Sequence, residues 1–327
     1  MHLRSLSSAA ATLAVVLMPL GAAGQQAVPR TAWGAPDLQG VWDFRSLTPM
    51  ERPSTLGVQE VFSEEQAAAF SADAIRRRSR DTPTSERAAR VAQGDIVPYN
   101  DFWFDEGTSV TTPRTSLIVD PADGSIPPLT PEAERAQAAR REARQGVGPD
   151  EPPIGGWVED LGDGVRCTRG FNAGPPMQPS AYNNNVQLFQ SPGYVVILNE
   201  MIHDARVVPL DGRPQPAEAI RLWAGSSRGR WDGDTLVVET TNLRSGAFRG
   251  ATDTLRVVER FTRADAGTLT YAVTVDDPAT WTRPWVFTVP MARNDAEVFE
   301  YACHEGNYGL YNILAAAGLR DAAPGSR

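Results

Sequence analysis

Between residues 186 and 292 the sequence alternates short strand-like runs with turns, and this pattern constrains the fold more than any other feature. Runs such as "YVVILNE", "TLVVETTN" and "LTYAVTVDD" are separated by the turns "SPG", "LDGRP", "DGD" and "DAGT". The connections are too short for crossover helices, so neighbouring strands must pair antiparallel. Because closure removes unpaired edges, about eight or nine such strands favour a meander barrel that encloses one small ligand. We therefore predict a mainly β fold, an antiparallel lipocalin-like or calycin-like β-barrel with a few peripheral helices.

Flanking elements complete the predicted domain. The chain after residue 24 is predicted to form one β-barrel domain, residues 25–327, with helical and loop elaboration at 50–165. Ser63 is a helix N-cap with glutamine three residues later, and Thr130 precedes a proline at the first helical position. The predicted elements outside the main run of strands are a strand opened by "GVW", a strand at 115–120, and helices at 63–80, 130–144 and 307–319.

The first residues are typical of a secretory signal. A basic start at Arg4 precedes an apolar stretch, residues 9–20, which is too short to span a bilayer. Ala22 and Gly24 then supply small residues for cleavage. We therefore predict a signal peptide at 1–24 and a periplasmic or secreted protein without membrane insertion.

Two cysteines, Cys167 and Cys303, stand in this predicted oxidising compartment. An even count there favours a disulfide. Two separate buried thiols remain the alternative, and a catalytic thiol is less favoured still.

The charge balance excludes several classes of function. The net charge is −9 and all 31 basic residues are arginine, so the chain lacks the lysine of Schiff-base chemistry and of phosphate-binding loops. Nucleic acids and anionic membranes bind positively charged protein surfaces, so an acidic chain with a pI near 5.0 is poorly suited to bind either. The predicted partner is a small-molecule ligand or substrate, and the sequence leaves the oligomeric state open.

Both histidines of the predicted mature chain fall in polar clusters. His203 is followed by Asp204 and Arg206, and His304 is followed by Glu305. Histidine titrates near neutral pH, so these clusters suit general acid/base catalysis with a cation that stabilises negative charge. Each cluster alone is also typical of a structural pair at a strand end.

Other residues would complete such a site. A disulfide would bring Arg169 near the second histidine, and Tyr182, Asn183 and Asn184 directly precede a predicted strand, where side chains line a barrel rim. Trp103 lies in the aromatic run "PYNDFWFDE", which is typical of a pocket wall or lid. The predicted catalytic residues are His203, Asp204, His304, Tyr182 and Arg206, and the predicted substrate-binding residues are Asn183, Asn184, Arg169, Glu305 and Trp103.

Three functions remain open at this stage. The first is metal-free acid/base chemistry, as in a lyase, hydrolase or isomerase, on a small polar or glycosidic molecule in the barrel mouth. The second is a non-catalytic lipocalin-like binding protein. The third is a metal-dependent enzyme that uses both histidines with one or two carboxylates. No local zinc-type spacing is present, so we predict neither a metal nor a cofactor.

Several longer motifs resemble a known group of proteins. "GVW", "YNNN", "HDAR", "GRWDGDTLVVETTN" and "EYACHEGNYG" are similar to motifs of a large, mostly uncharacterised family of secreted bacterial proteins. The motifs are spread over nearly the whole predicted mature chain. The resemblance implies a secreted protein of one family and brings no reaction with it.

Overall fold

A computed structural model describes residues 28–79, 81, 84–93, 100–148, 152–153 and 156–321 of the chain. The predicted signal peptide lies outside the described residues. Among the described residues, four α-helices and ten strands form the fold. The helices are α1 (Glu64–Arg78), α2 (Thr84–Ala92), α3 (Pro131–Ala143) and α4 (Tyr308–Asp321). The strands are β1 (Gly40–Asp43), β2 (Ile118–Asp120), β3 (Asn185–Ser191), β4 (Tyr194–Asn199), β5 (Ala205–Pro209), β6 (Ser226–Asp232), β7 (Thr235–Thr241), β8 (Arg256–Arg263), β9 (Thr268–Asp276) and β10 (Trp285–Asn294).

All ten strands belong to one antiparallel sheet, which confirms the predicted mainly β fold. The order is β5-β4-β3-β1-β10-β9-β8-β7-β6, and β2 also pairs with β10. Strand β1 pairs with the C-terminal end of β10 and β2 with its N-terminal end, so the two short strands share one edge of β10. The segments before the main run of strands thus complete the middle of the sheet.

The sheet curls so that its two edge strands lie against each other. A Cβ built at Gly229 of β6 would lie 2.9 Å from Cγ1 of Val208 in β5, and Arg206 of β5 reaches Glu259 of β8. Within the described residues no ladder of backbone hydrogen bonds joins β5 to β6, so the hydrogen-bonded sheet is not closed.

Side chains fill the space inside the curled sheet. Burial alternates along β8 and β9, as expected for strands with one face on a core. The inward residues of nearly all the strands form one continuous hydrophobic cluster. The largest buried side chains include Trp42, Trp285, Tyr271, Phe44, Phe261 and Phe287.

A proline-rich segment, residues 170–177, covers one end of this core. Met177 is fully buried in the main cluster, and its N–H donates to the hydroxyl of Tyr271 at 3.0 Å. Gly170 lies so close to Met201 that a Cβ there would be 2.2 Å from its Cγ. We call this the capped end of the sheet, where β4 ends and β5 begins.

The two helices that were predicted from their N-cap residues are confirmed. The Ser63 hydroxyl accepts a hydrogen bond from the backbone N–H of Gln66, whose side chain accepts one in return from the N–H of Ser63. Thr130 caps α3 through the N–H of Ala133. Helix α2 was not predicted, because its nine residues are fewer than the window over which helical periodicity can be recognised. Helices α1 to α3 all fall within residues 50–165.

One predicted strand is wrong. The run "RLWAG" forms only an isolated bridge between Leu222 and Leu243. The ring centroid of its aromatic residue, Trp223, lies 4.1 Å from the guanidinium of Arg244 and 5.0 Å from that of Arg166. Cation–π contacts with these two arginines therefore stabilise Trp223 outside the sheet, although the sequence pattern predicted it in a strand. None of the described helices is both long and apolar enough to cross a membrane.

Candidate functional site

The disulfide between Cys167 and Cys303 is present, which confirms the predicted pairing. It ties the segment before α4 to the turns that precede the proline-rich segment at the capped end. The sequence separation of the two cysteines is 136 residues, so only the fold brings these regions together.

A small hydrophobic cluster at the capped end joins the segments that carry the two histidines. Met201 and Ile202 are buried in it, and Tyr182, Tyr301 and Cys303 pack against them. The rings of Tyr182 and Tyr301 stack with centroids 6.2 Å apart. One histidine directly follows a cluster residue in each segment, so both belong to this end of the molecule.

The backbone around His203 is unusual. Ile202 has a φ of 60° and His203 a φ of 44°, so two consecutive non-glycine residues adopt the left-handed conformation. This conformation is costly for a β-branched side chain and is often retained at functional sites. The turn is held by a hydrogen bond from the His203 N–H to the carbonyl of Glu200 at 3.2 Å. The His203 side chain is exposed, as are those of His304 and Glu305.

Asp204, which follows His203, carries a carboxyl group that is partly shielded from water. It is partly buried, and burial raises the pKa of its carboxyl above the ordinary value. The charges of Arg206, Arg169 and His203 act in the opposite direction and only partly offset burial. A carboxyl among two guanidinium groups and an imidazole is the arrangement that perturbs proton affinity at catalytic sites.

The two arginines near Asp204 have different roles. Arg206 is buried inside the sheet, where its two Nη atoms donate to the carboxylate of Glu259 at 2.7 and 2.8 Å. The hydroxyl of Tyr271 donates to the same carboxylate at 2.7 Å. Arg169 lies outside this pair, with its Nε 3.5 Å from Asp163. Burial lowers the pKa of Arg169 from its ordinary value, and the charge of Asp163 acts in the opposite direction.

Asn199 was not among the predicted site residues. It is 1% exposed at the end of β4, and its N–H donates to the carbonyl of Asp204 at 2.8 Å. Neither its side-chain oxygen nor its side-chain nitrogen forms a hydrogen bond within the described part of the chain. Buried amides are normally paired, so this side chain is a candidate ligand-binding group. The signal in the sequence was a polar residue in phase with the inward Val195 and Ile197 of β4.

The predicted asparagines support the backbone of this region. Asn184 is fully buried, donates to the carbonyls of Asp105 and Ser180 at 2.8 and 2.9 Å, and accepts from the Ser180 N–H. Asn183 has a φ of 53°, and its carbonyl accepts from the side chain of Asn172 at 3.0 Å. The "YNNN" motif therefore holds the chain at the start of β3.

The aromatic run predicted as a pocket wall lies beside Tyr182, and its first residues, 98 and 99, fall outside the described residues. The ring centroid of Phe104 is 6.2 Å from that of Tyr182, and the N–H of Asp105 donates to the carbonyl of Ala181. Trp103 is 62% exposed and packs edge to face on Phe102. The same run borders a cleft of about 480 Å³ on the outer face of the sheet.

Across the described residues, no group of three or more histidine, cysteine, aspartate or glutamate side chains is arranged to hold a metal ion. Comparison of the chain with family models, curated proteins and solved structures gives no match.

Proposed function

We propose that the protein is an enzyme that performs metal-free acid/base chemistry on a small polar or glycosidic molecule at the capped end of the sheet. The observation that carries this proposal is the environment of Asp204. Its partly buried carboxyl has a raised pKa and lies beside an exposed imidazole on a strained turn. Perturbed proton affinity and backbone strain both concentrate at functional sites.

In the proposed mechanism each group has one role. His203 transfers the proton, because its imidazole is exposed and histidine is the side chain most often used for general acid/base catalysis. Asp204 orients the imidazole and stabilises its charged form. Arg169 stabilises negative charge that develops on a substrate oxygen, and the amide of Asn199 binds a carbonyl or hydroxyl group. His304 or Tyr182 is the second proton-transfer group.

The wider proposals follow the same reasoning. We propose that the curled sheet acts as a lipocalin-like barrel, an interpretation supported by the contact between β5 and β6. We also propose that residues 1–24 are a cleaved signal peptide and that the chain belongs to the secreted bacterial family its motifs resemble. The disulfide is compatible with an oxidising compartment.

The binding-protein alternative has less support. A lipocalin-like binding protein holds its ligand in an open interior. Here Trp42, Tyr271, Trp285 and Met177 are all fully buried in the core, and Met177 closes it at the capped end. A reaction at the capped end needs no internal cavity.

The test is a screen of glycosides, lactones and aryl ethers with the mature protein, followed by two variants. His203→Ala is expected to lower kcat by about 10²- to 10⁴-fold, with the thermal midpoint nearly unchanged. The control, Arg213→Gln, changes an exposed residue beyond the other end of β5 and should leave kcat unchanged. If His203→Ala unfolds the protein while activity per folded molecule survives, His203 is a structural partner of Asp204 and the proposal fails. A stoichiometric metal lost on replacing either histidine would favour the metal-dependent alternative.

A further inference from the structure

The cleft of about 480 Å³ lies on the outer face of the sheet, away from the core. Its floor is formed by outward residues of β10, including Pro290 and Ala292, together with Thr268 of β9. The segment 104–111 forms the facing wall. Its volume falls within the range of small-molecule sites.

One wall of the cleft is charged and held in place by an ion-pair bridge. The guanidinium of Arg45 contacts Asp43 on one side, with Nε to Oδ2 at 2.6 Å, and Asp105 on the other. The two carboxylates raise the pKa of Arg45, so the guanidinium stays charged. The ion pairs hold these side chains in place, so the wall presents the donor groups of Arg45 between the acceptor oxygens of Asp43 and Asp105. Glu106 adds a further carboxylate, 3.1 Å from Arg78.

The rest of the lining is apolar or hydroxylated. Phe104 and Pro290 supply apolar surface, and Thr108, Ser109 and Thr111 supply hydroxyl groups. The two residues before Phe104 are also aromatic and strongly exposed, Phe102 by 82% and Trp103 by 62%. Exposed aromatic side chains of this kind mark binding surfaces.

Two smaller clefts continue from the first. A cleft of about 140 Å³ shares Phe104, Glu106 and Thr108 with it, and one of about 350 Å³ shares Glu106. Ser180 and Ala181 also line the last cleft. The three clefts therefore meet around Glu106.

We propose that these clefts form a groove that binds a neutral oligosaccharide, with one sugar ring in the cleft of about 480 Å³. A sugar ring has an apolar face and a rim of hydroxyl groups that both donate and accept hydrogen bonds. The apolar floor matches the face, and the bridge of Arg45, Asp43 and Asp105 matches the rim. An anionic ligand is disfavoured because the carboxylates outnumber Arg45 in the main cleft. A cationic ligand is disfavoured because Asp43 and Asp105 are already paired with Arg45.

Calorimetric titration of the mature protein with glucose, cellobiose and cellotriose tests the proposal. Glucuronate and glucosamine are the charged comparisons. We expect saturable binding that strengthens from glucose to cellotriose, and at least tenfold weaker binding of both charged sugars. Binding is measured without turnover, so the result is independent of the acid/base proposal.

The variants are matched by charge and exposure. Asp105→Asn is expected to weaken cellotriose binding at least tenfold, and Phe104→Ala to do the same by removing apolar surface. Asp120→Asn removes a carboxylate from another exposed ion pair, 2.6 Å from Arg283, and should bind as the parent does. Thermal melts show whether each variant is folded, and Thr108→Ala, at an exposed position, provides a mild second test with a smaller loss. Absence of saturable binding for all three neutral sugars, or equal affinity in Asp105→Asn, overturns the proposal.

Discussion

At the scale of single residues, side chains and backbone conformations that are unusual in folded proteins are concentrated at the capped end of the sheet. Asn199 is buried with an amide that has no partner in the described chain, and Asp204 carries a carboxyl with a raised pKa. A left-handed backbone at ordinary residues is retained only where the surroundings fix it, as the disulfide and the stacked tyrosines do here. The described non-glycine residues with positive φ are Cys167, Asn183, Ile202, His203, Asn242 and Arg249, all in the loops at this end.

The substitution Asp204→Asn tests whether this carboxyl is held at a cost to stability. Its pKa is raised in the folded protein, so the folded state binds the proton more tightly than the unfolded chain does. The free energy of unfolding therefore falls as pH rises from the ordinary value of 3.8 through the raised pKa. We expect the asparagine variant to be more stable than the parent at pH 7 and to lose this advantage below pH 3.8. Urea unfolding at both pH values measures the difference.

Asp211→Asn is the control with the opposite sign. Hydrogen bonds from Arg213 lower the pKa of Asp211 to about 2, so its contribution to stability is present at neutral pH and is lost as pH falls through that value. Its replacement should give no gain at pH 7. A variant at Asp204 that is less stable than the parent at pH 7 would show that attraction to Arg169 and Arg206 outweighs burial.

At the scale of elements, local patterns predicted the strands and caps, and long-range pairing could not be predicted. Alternation in "LTYAVTVDD" identified β9, and a serine with a glutamine three residues later identified α1. The pair of Arg206 and Glu259 depends on β5 curling over β8, which no local spacing encodes. Arg206 was therefore predicted at a cavity mouth, whereas both of its Nη atoms are bound inside the core. The burial of Asn199 likewise depends on a covering segment distant in sequence.

Gly229→Val tests how closely β5 and β6 approach. A Cβ at this position would lie 2.5 Å from Leu210 and 2.9 Å from Val208, so the larger side chain must push the edge strands apart. Overpacking of this kind costs about 1–3 kcal/mol. We expect that loss in the free energy of unfolding, with faster amide hydrogen exchange in β5. Gly162→Ala has no atom within 4 Å of its new Cβ and should change stability by less than about 0.5 kcal/mol. Equal stability of the two variants would mean that β5 and β6 do not support each other.

At the scale of the whole molecule, the disulfide attaches the segment that carries His304 to the capped end, where His203 lies. The sheet holds His203 through β4 and β5, while His304 lies on the segment after β10, outside the sheet. Cys303 and the stack of Tyr301 on Tyr182 attach that segment to the capped end. The position of His304 thus depends on a covalent bond, whereas the position of His203 depends on strand pairing.

The double variant Cys167→Ser/Cys303→Ser separates these two dependences. Opening a loop of 136 residues lowers the free energy of unfolding by about 4–5 kcal/mol in the chain-entropy account, less if the unfolded chain is already compact. Below the unfolding transition we expect faster hydrogen exchange in residues 295–321 and unchanged exchange in β8 and β9.

If His304 is the second proton-transfer group, kcat falls in this variant as it does in His304→Ala. If Tyr182 has that role, kcat stays within a few-fold of the parent, because the sheet still holds Tyr182 beside His203. Unchanged stability together with unchanged exchange in residues 295–321 would show that packing alone fixes the C-terminal segment.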